Sequence, residues 1–524
     1  MRASAWAYAV IAATALLGAA CAAAQSWTAT PVGIHDGSVS GMREDGLTVY
    51  RGIPFAAPPV GNLRWRAPQP VKPWPNIIQA TAFKPACMQE GPTLPGMMET
   101  YSEDCLYLNV WTPAKTSTDK LAVMVYLYGG GNTSGSGSAR LYWGDRLARK
   151  GVIIVTFNYR LGALGLLAHP ELSQESSYHT SGNYSFLDVI AALKWVRDNI
   201  GAFGGDPGNV TLFGQSAGAY LGSTLMVSPL ARGLFQRVIG SSGGALGKSD
   251  NPTLAQAEQI GIAYVAQFGV HSMREMRQVS ADKIIAMDSR TKSPDGVNGT
   301  NRASIDGHAI PASVRALYVA GKQAHVDLLI GSNADEGVNT LGPPMDAARY
   351  AADTRARYRD FADRFLALYP ARSDTEAAAS QLRRQSDDTA WRAYSWAQLQ
   401  ARADVRQVYL YRFSTIPPFG RWPKLHAAGH GAELPYVFGF PPIELLPKYE
   451  SAEKAALHAR IEDRIQTYWT NFAKTGDPNG PGLPQWPAFR SSAPKLLNMG
   501  DEFAAEDLPN RPALELLDAY NRPK

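Results

Sequence analysis

From Leu121 onward the chain alternates short, unbroken apolar runs with longer stretches of helical periodicity. The apolar runs are Leu121–Leu127, 152–157, 210–213, 236–239 and 326–330, with a further strand expected at Val408–Phe413. Continuous apolar runs without a polar face belong to strands buried on both sides of a parallel sheet, so the pattern predicts an α/β fold. Between them, residues 186–200 place Leu187, Ile190, Leu193 and either Trp195 or Val196 on one face of a helix. Further helices are expected at 350–368, 375–402 and 451–475. Upstream, the segment 46–52 has the glycine punctuation of short strands and turns, and 54–75 is a proline-rich loop. No Ser/Gly-rich linker, charge block or internal repeat divides the chain. The reading is one large domain over 25–524, a mostly parallel central sheet flanked by helices and carrying inserted helical regions.

Composition narrows the classes of function. At 45% hydrophobic and 19% charged residues in a chain of 524, there is enough apolar material for a large core. The 51 Lys and Arg against 46 Asp and Glu leave a small net charge with no long like-charged run, which argues against a nucleic-acid partner. Three cysteines form no C-x-x-C pair, and no H-E-x-x-H occurs among the nine histidines, so neither a metal nor a redox motif is indicated.

The first 24 residues carry Arg2, an uncharged Ala-rich stretch and then Ala22-Ala23-Ala24. That order is the one expected of a secretory leader cut before Gln25. A retained anchor, or lipid attachment at Cys21, is the alternative. No later stretch approaches the ~20 apolar residues that a membrane-spanning helix needs, so the mature chain is expected to be secreted or periplasmic. In an oxidising compartment Cys87 and Cys105 are expected to pair, closing a loop worth about 3 kcal/mol in the chain-entropy picture; two buried free thiols are the competing reading.

The chemical signal is Gly214-Gln215-Ser216-Ala217-Gly218, which follows an apolar strand and leads into helix-like sequence at 217–227. Strand, tight turn and helix are the context in which a G-x-S-x-G serine is lifted above a sheet edge as a nucleophile. Gly240-Ser241-Ser242-Gly243-Gly244 matches the same pattern but runs into a poor helix, so Ser242 ranks below Ser216 and is left at most a supporting hydrogen bond. A serine nucleophile needs a base and donors for an oxyanion. Tyr128-Gly129-Gly130-Gly131 follows the strand Leu121–Leu127 and offers the Gly130 and Gly131 amides, with that of Ala217, as donors. Asp335-Glu336-Gly337 and Gly429-His430-Gly431 both follow strands, on the loop side where open α/β sheets gather ligands. The order Ser, acid, His is that of α/β-hydrolases. From the residues alone, Asp335 and Glu336 remain equal candidates, as do His426 and His430.

The segments Pro54-Phe55-Ala56-Ala57-Pro58-Pro59-Val60-Gly61, Ser102-Glu103-Asp104-Cys105-Leu106-Tyr107-Leu108-Asn109-Val110 and Phe203-Gly204-Gly205-Asp206-Pro207, together with the serine motif, resemble the type-B carboxylesterase and cholinesterase family across nearly the whole mature chain. The resemblance implies an α/β-hydrolase fold and a serine carboxylic-ester hydrolase working through an acyl-enzyme. It implies Ser216 as nucleophile, Glu336 as acid, His430 as base, Gly130, Gly131 and Ala217 as the oxyanion hole, and Cys87–Cys105 as a disulfide. A small-molecule ester is the expected partner, with no cofactor. An amidase or transacylase on the same scaffold, or an inactive adhesion-type module, are the competing classes.

Two departures from the family concern the substrate. Asn132-Thr133-Ser134, with Arg140 and Arg146 beyond, stand where an aromatic or apolar residue is usual, and Ser242-Gly243-Gly244 replaces Ser-Gly-Ser. Asn132 and Ser242 are therefore candidates for a polar acyl pocket suited to hydroxyl- or carboxylate-bearing acyl groups, such as the tricarballylate esters of fumonisin-type toxins. Side chains that only hydrogen-bond their own loop are the equal alternative. Tyr142, Trp143 and Trp422 are aromatic candidates for a gorge, against a core role that most aromatics have.

Overall fold

A computed structural model describes residues 28–522 except 92–99, 248–250, 291–298, 341–343, 403–406, 419–426 and 440–450. Eleven strands form one sheet: β1 (Met42–Glu44), β2 (Leu47–Pro54), β3 (Tyr107–Thr112), β4 (Leu121–Leu127), β5 (Ile153–Phe157), β6 (Gly205–Gln215), β7 (Arg237–Ser241), β8 (Asp327–Asn333), β9 (Val408–Phe413), β10 (Lys495–Met499) and β11 (Phe503–Asp507). Their spatial order is β11-β10-β9-β8-β7-β6-β4-β5-β3-β2-β1. The strands from β4 to β10 run parallel to their neighbours, while β1, β2, β3 and β11 pair antiparallel at the two margins.

The apolar runs explain this layout. Every residue of β5 and β8 is buried, as are six of the seven residues of β4, because helices cover both sheet faces. Helix α1 (Tyr184–Asn199) packs on β6, and α2 (Ala217–Leu225) on β6 and β7. Helix α3 (Asp374–Ala401) covers β8 and β9, and α4 (Ala452–Thr475) lies against β4 and β6.

One helical expectation changes, and one is extended. The segment 350–368 is broken into Ala347–Tyr358 and Ala362–Leu368, because Arg359 turns at φ 46°, a left-handed value that no α-helix continues through. In α1 burial extends around most of the helix, through Phe186, Val189, Ile190, Ala192, Leu193, Trp195 and Val196. Leu187, expected with Ile190 and Leu193 on the apolar face, is half-buried and packs against the core.

A buried ion pair fixes the α1 start. Asp188, fully buried, accepts from the Arg160 backbone N at 3.1 Å, from Nε at 2.8 Å and from Nη2 at 2.7 Å. These bonds attach the chain leaving β5 to α1. No helix among the described residues is long and apolar enough to cross a membrane.

Candidate active site

β6 ends at Gln215 and α2 begins at Ala217, so Ser216 alone makes the turn between them, with φ 56° and ψ −119°. A non-glycine residue in that region carries strain of order 1–3 kcal/mol and persists only when its surroundings hold it. Here the Ser216 N–H donates to Ser241 O of β7 at 2.8 Å, and its carbonyl accepts from Tyr220 N at 3.0 Å. The turn also presses α2 against the end of β4. A Cβ on Gly218 would lie 1.9 Å from Leu127 O, so the second glycine of the motif is set by this close approach. The Ala217 N–H sits in the first turn of α2, where no intrahelical acceptor exists.

The glycine loop starts beside that turn. Tyr128 stacks on Tyr159 with centroids 4.2 Å apart, and the Tyr159 hydroxyl donates to Tyr128 O at 2.7 Å. Gly130 has φ +110°, and a Cβ on it would meet Ser134 O at 2.1 Å. The loop is then clamped from outside. Gly135 N donates to Gln89 Oε1 at 2.8 Å while Gln89 Nε2 donates to Gly135 O at 2.9 Å, and Gly137 N donates to Asn158 Oδ1 at 2.8 Å. Asn158 Nδ2 in turn donates to Cys105 O at 3.1 Å. Since Cys87 and Cys105 form a disulfide, the glycine loop is anchored to a covalently closed segment.

On the acid and histidine side, Glu336 is fully buried just after β8. Its Oε1 accepts from Asn333 N at 2.7 Å, and its Oε2 accepts from His430 Nδ1 at 2.6 Å. Asp335 does something else. It exchanges bonds with Ala428, N to O at 2.9 Å and Oδ2 from N at 3.0 Å, and so pins the loop two residues before His430. His426 lies outside the described residues. With Nδ1–H given to Glu336, the other nitrogen of His430 accepts, and Gln215 Nε2 lies 3.1 Å from it. Burial pushes the His430 imidazole down, but the Glu336 charge, the Glu336 hydrogen bond and the Glu433 charge together outweigh it, so the ring titrates above its ordinary range.

Glu433, three residues on, is a second buried carboxyl. It receives the Ser241 hydroxyl and Asn333 Nδ2, the latter at 2.5 Å, and Tyr411 donates to Ser241 Oγ at 2.8 Å. Burial raises this carboxyl first, and the charge of Glu336 raises it further. Sequence reading passed over Gln215, Ser241, Asn333, Tyr411 and Glu433. Gln215 and Ser241 stand inside the two serine motifs that were read and Glu433 lies three residues past His430, whereas Asn333 and Tyr411 are identified only by the register of β8 and β9.

The remaining candidates separate. The hydrogen-bonding role left to Ser242 falls instead to Ser241: Ser242 N donates to Gly331 O at 2.9 Å, but its buried Oγ has no partner among the described residues. Asn132 turns at φ 60°, donates from Nδ2 to Asn301 O at 3.2 Å and accepts Gly162 N on its carbonyl at 2.7 Å, leaving a buried Oδ1 without a partner among the described residues. Arg140 lies over Trp143 at 3.9 Å, and Arg146 pairs with Glu462 at 3.8 Å. Both arginines are thus engaged with partners of their own. Tyr142 is a core residue, packed on Tyr126 and Phe438, and Trp143 packs on Phe83 and Arg140. Trp422 lies outside the described residues.

Comparison with known proteins shows the family. Residues 28–516 match the family described as the carboxylesterase family. The chain is 36% identical over 470 residues to "Fumonisin B1 esterase" of Sphingopyxis macrogoltabida, covering 87% of this chain and 84% of that protein. It is 34% identical over 486 residues to "Para-nitrobenzyl esterase" of Bacillus subtilis (strain 168), covering 90% and 95%. A solved structure of PNB esterase superposes with a TM-score of 0.82 at 32% identity, covering 93% of this chain and 99% of the other.

Proposed function

Because the chain belongs to the carboxylesterase family, and is a carboxylic-ester hydrolase of the α/β-hydrolase fold, we propose that it hydrolyses its ester through Ser216, His430 and Glu336. The observation that carries this assignment is the 2.6 Å bond from His430 Nδ1 to Glu336, beside a serine held at φ 56° on the turn between β6 and α2.

Hydrolysis then runs in two halves. His430, neutral at Nε2, takes the Ser216 proton as Oγ attacks the ester carbonyl. Glu336 holds the ring in that tautomer and stabilises the imidazolium that forms. The Gly130, Gly131 and Ala217 amides receive the oxyanion; such preorganised donors are worth about 10²–10³ in rate each. His430 then returns its proton to the departing alcohol and activates the water that cleaves the acyl-enzyme. Residues 25–524 act as one catalytic domain, consistent with a single sheet assembled from residues 42 to 507. Export after removal of residues 1–24 is supported by the leader-like composition and by the disulfide.

The acyl pocket is polar on this reading. Support comes from the partnerless buried Oδ1 of Asn132 and Oγ of Ser242, and from the Sphingopyxis relative, whose name is that of an esterase of fumonisin B1. Hydrolysis of p-nitrophenyl acetate and butyrate by the chain from Gln25 tests the nucleophile: Ser216→Ala abolishes turnover while remaining folded, and Ser242→Ala does not. Rates on acetate, succinate and tricarballylate esters test the pocket, and no gain with the charged acyl groups would sink the acyl preference alone.

A further inference from the structure

Gln215 precedes Ser216 on the serine turn, and its side chain reaches back to the histidine. It is 5% exposed, and its Nε2 lies 3.1 Å from His430 Nε2. Because His430 gives its Nδ1 proton to Glu336 at 2.6 Å, Nε2 of the neutral ring carries a lone pair and the Gln215 amide donates to it. Gln215 makes no other side-chain hydrogen bond among the described residues, and the Ser216 hydroxyl makes none among them. In this resting arrangement the basic nitrogen is held by Gln215 rather than by the nucleophile.

Packing fixes the carboxamide in that place. A Cβ on Gly129 would stand 2.7 Å from Gln215 Oε1 and 2.8 Å from Gln215 O, and one on Gly431 would stand 3.8 Å from Nε2. The side chain thus lies between the start of the glycine loop and the residue after His430, in space that Gly129 leaves open. Its backbone belongs to the β6–β7 ladder, where Gln215 stands opposite Ser241. The His430 ring is therefore held at both nitrogens, by Glu336 on one side and by Gln215 on the other.

We propose that Gln215 is a positioning residue for the second half of the reaction, keeping His430 Nε2 in place while Ser216 carries the acyl group. The inference rests on Ser216 as nucleophile and His430 as base. In the free enzyme the Ser216 hydroxyl has a proton to offer Nε2. Once Oγ is bonded to the acyl carbon, that proton has left with the alcohol, and Gln215 is the side-chain donor that remains beside Nε2. Water then takes the place of Gln215, giving its proton to Nε2 as its oxygen bonds to the acyl carbon. The proton passes on to Ser216 Oγ as the bond from Oγ to that carbon breaks. A carboxamide suits both states of the ring: its N–H donates to neutral Nε2, and its carbonyl, after half a turn of the terminal bond, accepts from the protonated one. A carboxylate can only accept, and a thioether has no hydrogen to give.

Gln215→Met, which keeps the length of the side chain and removes the donor, tests this in the whole mature chain. Stopped-flow hydrolysis of p-nitrophenyl butyrate should show a burst of about one equivalent of p-nitrophenol. The steady rate that follows should be about tenfold or more below the parent's, with KM lowered in step, so that kcat/KM changes by less than about threefold. The ascending limb of kcat against pH should move up, because the neutral ring loses a donor while Glu336 and Glu433, the charges that act on it, are unchanged. Gln215→Glu, of the same shape, should fold as the parent does and move the limb further up, since a carboxylate favours the protonated ring. A purely structural role would lower kcat and kcat/KM together and leave the limb in place. Parent-like burst and turnover in Gln215→Met, equal losses in kcat and kcat/KM, or a limb that stays or falls in both variants overturns the proposal and leaves Ser216 and His430 standing. Quenched parent enzyme with no butyryl group on Ser216 overturns the nucleophile assignment and this inference with it.

Discussion

Glu336 and Glu433 are joined through a single residue, Asn333, whose backbone N–H donates to Glu336 Oε1 at 2.7 Å and whose Nδ2 donates to Glu433 Oε2 at 2.5 Å. The two carboxyls stand in different surroundings. Glu336 faces His430 directly, whereas Glu433 faces the Ser241 hydroxyl and an amide. Asn333 Nδ2 also donates to Gly429 O at 2.6 Å, so one asparagine at the end of β8 positions both acids and the loop that delivers the histidine.

The pH dependence of hydrolysis should report this arrangement. His430 must be neutral to act as base, and its titration lies above the ordinary value of 6.5 because Glu336 and Glu433 outweigh burial. The ascending limb of kcat/KM against pH should therefore have its midpoint above 6.5. Glu336→Gln removes the two largest upward influences, so the midpoint should fall while the rate drops by about 10²–10⁴. In stability the sign is set by the same shift. A histidine with a raised folded-state pKa contributes stability fully present below its unfolded value and lost as pH rises through the folded one. A pH–rate profile of the variant with an unmoved midpoint would contradict the assignment of Glu336.

Glu433→Gln should behave differently. The amide keeps an acceptor for Asn333, places an N–H where the Ser241 hydroxyl had its acceptor so that the hydroxyl turns to accept instead, and removes a charge whose burial is unfavourable. The variant should fold, and its ascending limb should shift down by less than that of Glu336→Gln, because Glu433 is the last of the three upward influences on His430. Glu433→Leu leaves the Ser241 hydroxyl without its acceptor and Asn333 Nδ2 with Gly429 O alone, at about 1–3 kcal/mol for each buried hydrogen bond lost. Thermal melts of the two variants beside their pH profiles check both halves.

Much of this site was legible in the sequence, and the reason is local. The serine turn, the glycine loop and the Asp-Glu-Gly segment each carry their signal within a few residues of a strand end. Choosing Glu336 over Asp335 needed the family resemblance, and the structure adds why the neighbours differ: one carboxylate reaches His430 and the other caps Ala428. The Ser241–Glu433–Tyr411 contacts were not legible, because they join β7, the segment after Gly429 and β9 across 170 and 192 positions. Periodicity placed Leu187 with the apolar face of α1 but did not show how far burial extends around that helix, since a helix lying against a sheet and under a loop is buried on more than one face. The break at Arg359 has no glycine or proline to announce it.

Gly130→Ala tests the oxyanion donors without touching the nucleophile. The native φ of +110° disfavours alanine, and the added Cβ would stand 2.1 Å from Ser134 O. The loop must then move, which displaces the Gly130 and Gly131 amides. Since the loop is at the surface of a large core, the fold should survive while kcat falls about 10²–10³ and KM changes little. Gly131→Ala meets open space, with only Thr133 Oγ1 at 3.9 Å, but carries a φ of +64°, so a smaller loss is expected. Equal and negligible effects in both would remove the loop from the mechanism.

Opening the Cys87–Cys105 disulfide should weaken stability and activity together. The bridge closes a segment with a sequence separation of 18, for which loop-entropy arguments give about 3 kcal/mol. Its second effect reaches the site. Gln89, two residues from Cys87, clamps both sides of Gly135, and Asn158 links Gly137 to Cys105 O. Replacing both cysteines by serine should therefore lower the melting temperature and also reduce kcat at temperatures where the chain is still folded. A reductant should reproduce both effects in the parent and neither in the variant. A variant that melts earlier but turns over at the parental rate would separate the bridge from the glycine loop, and would leave Gln89 as the clamp that matters.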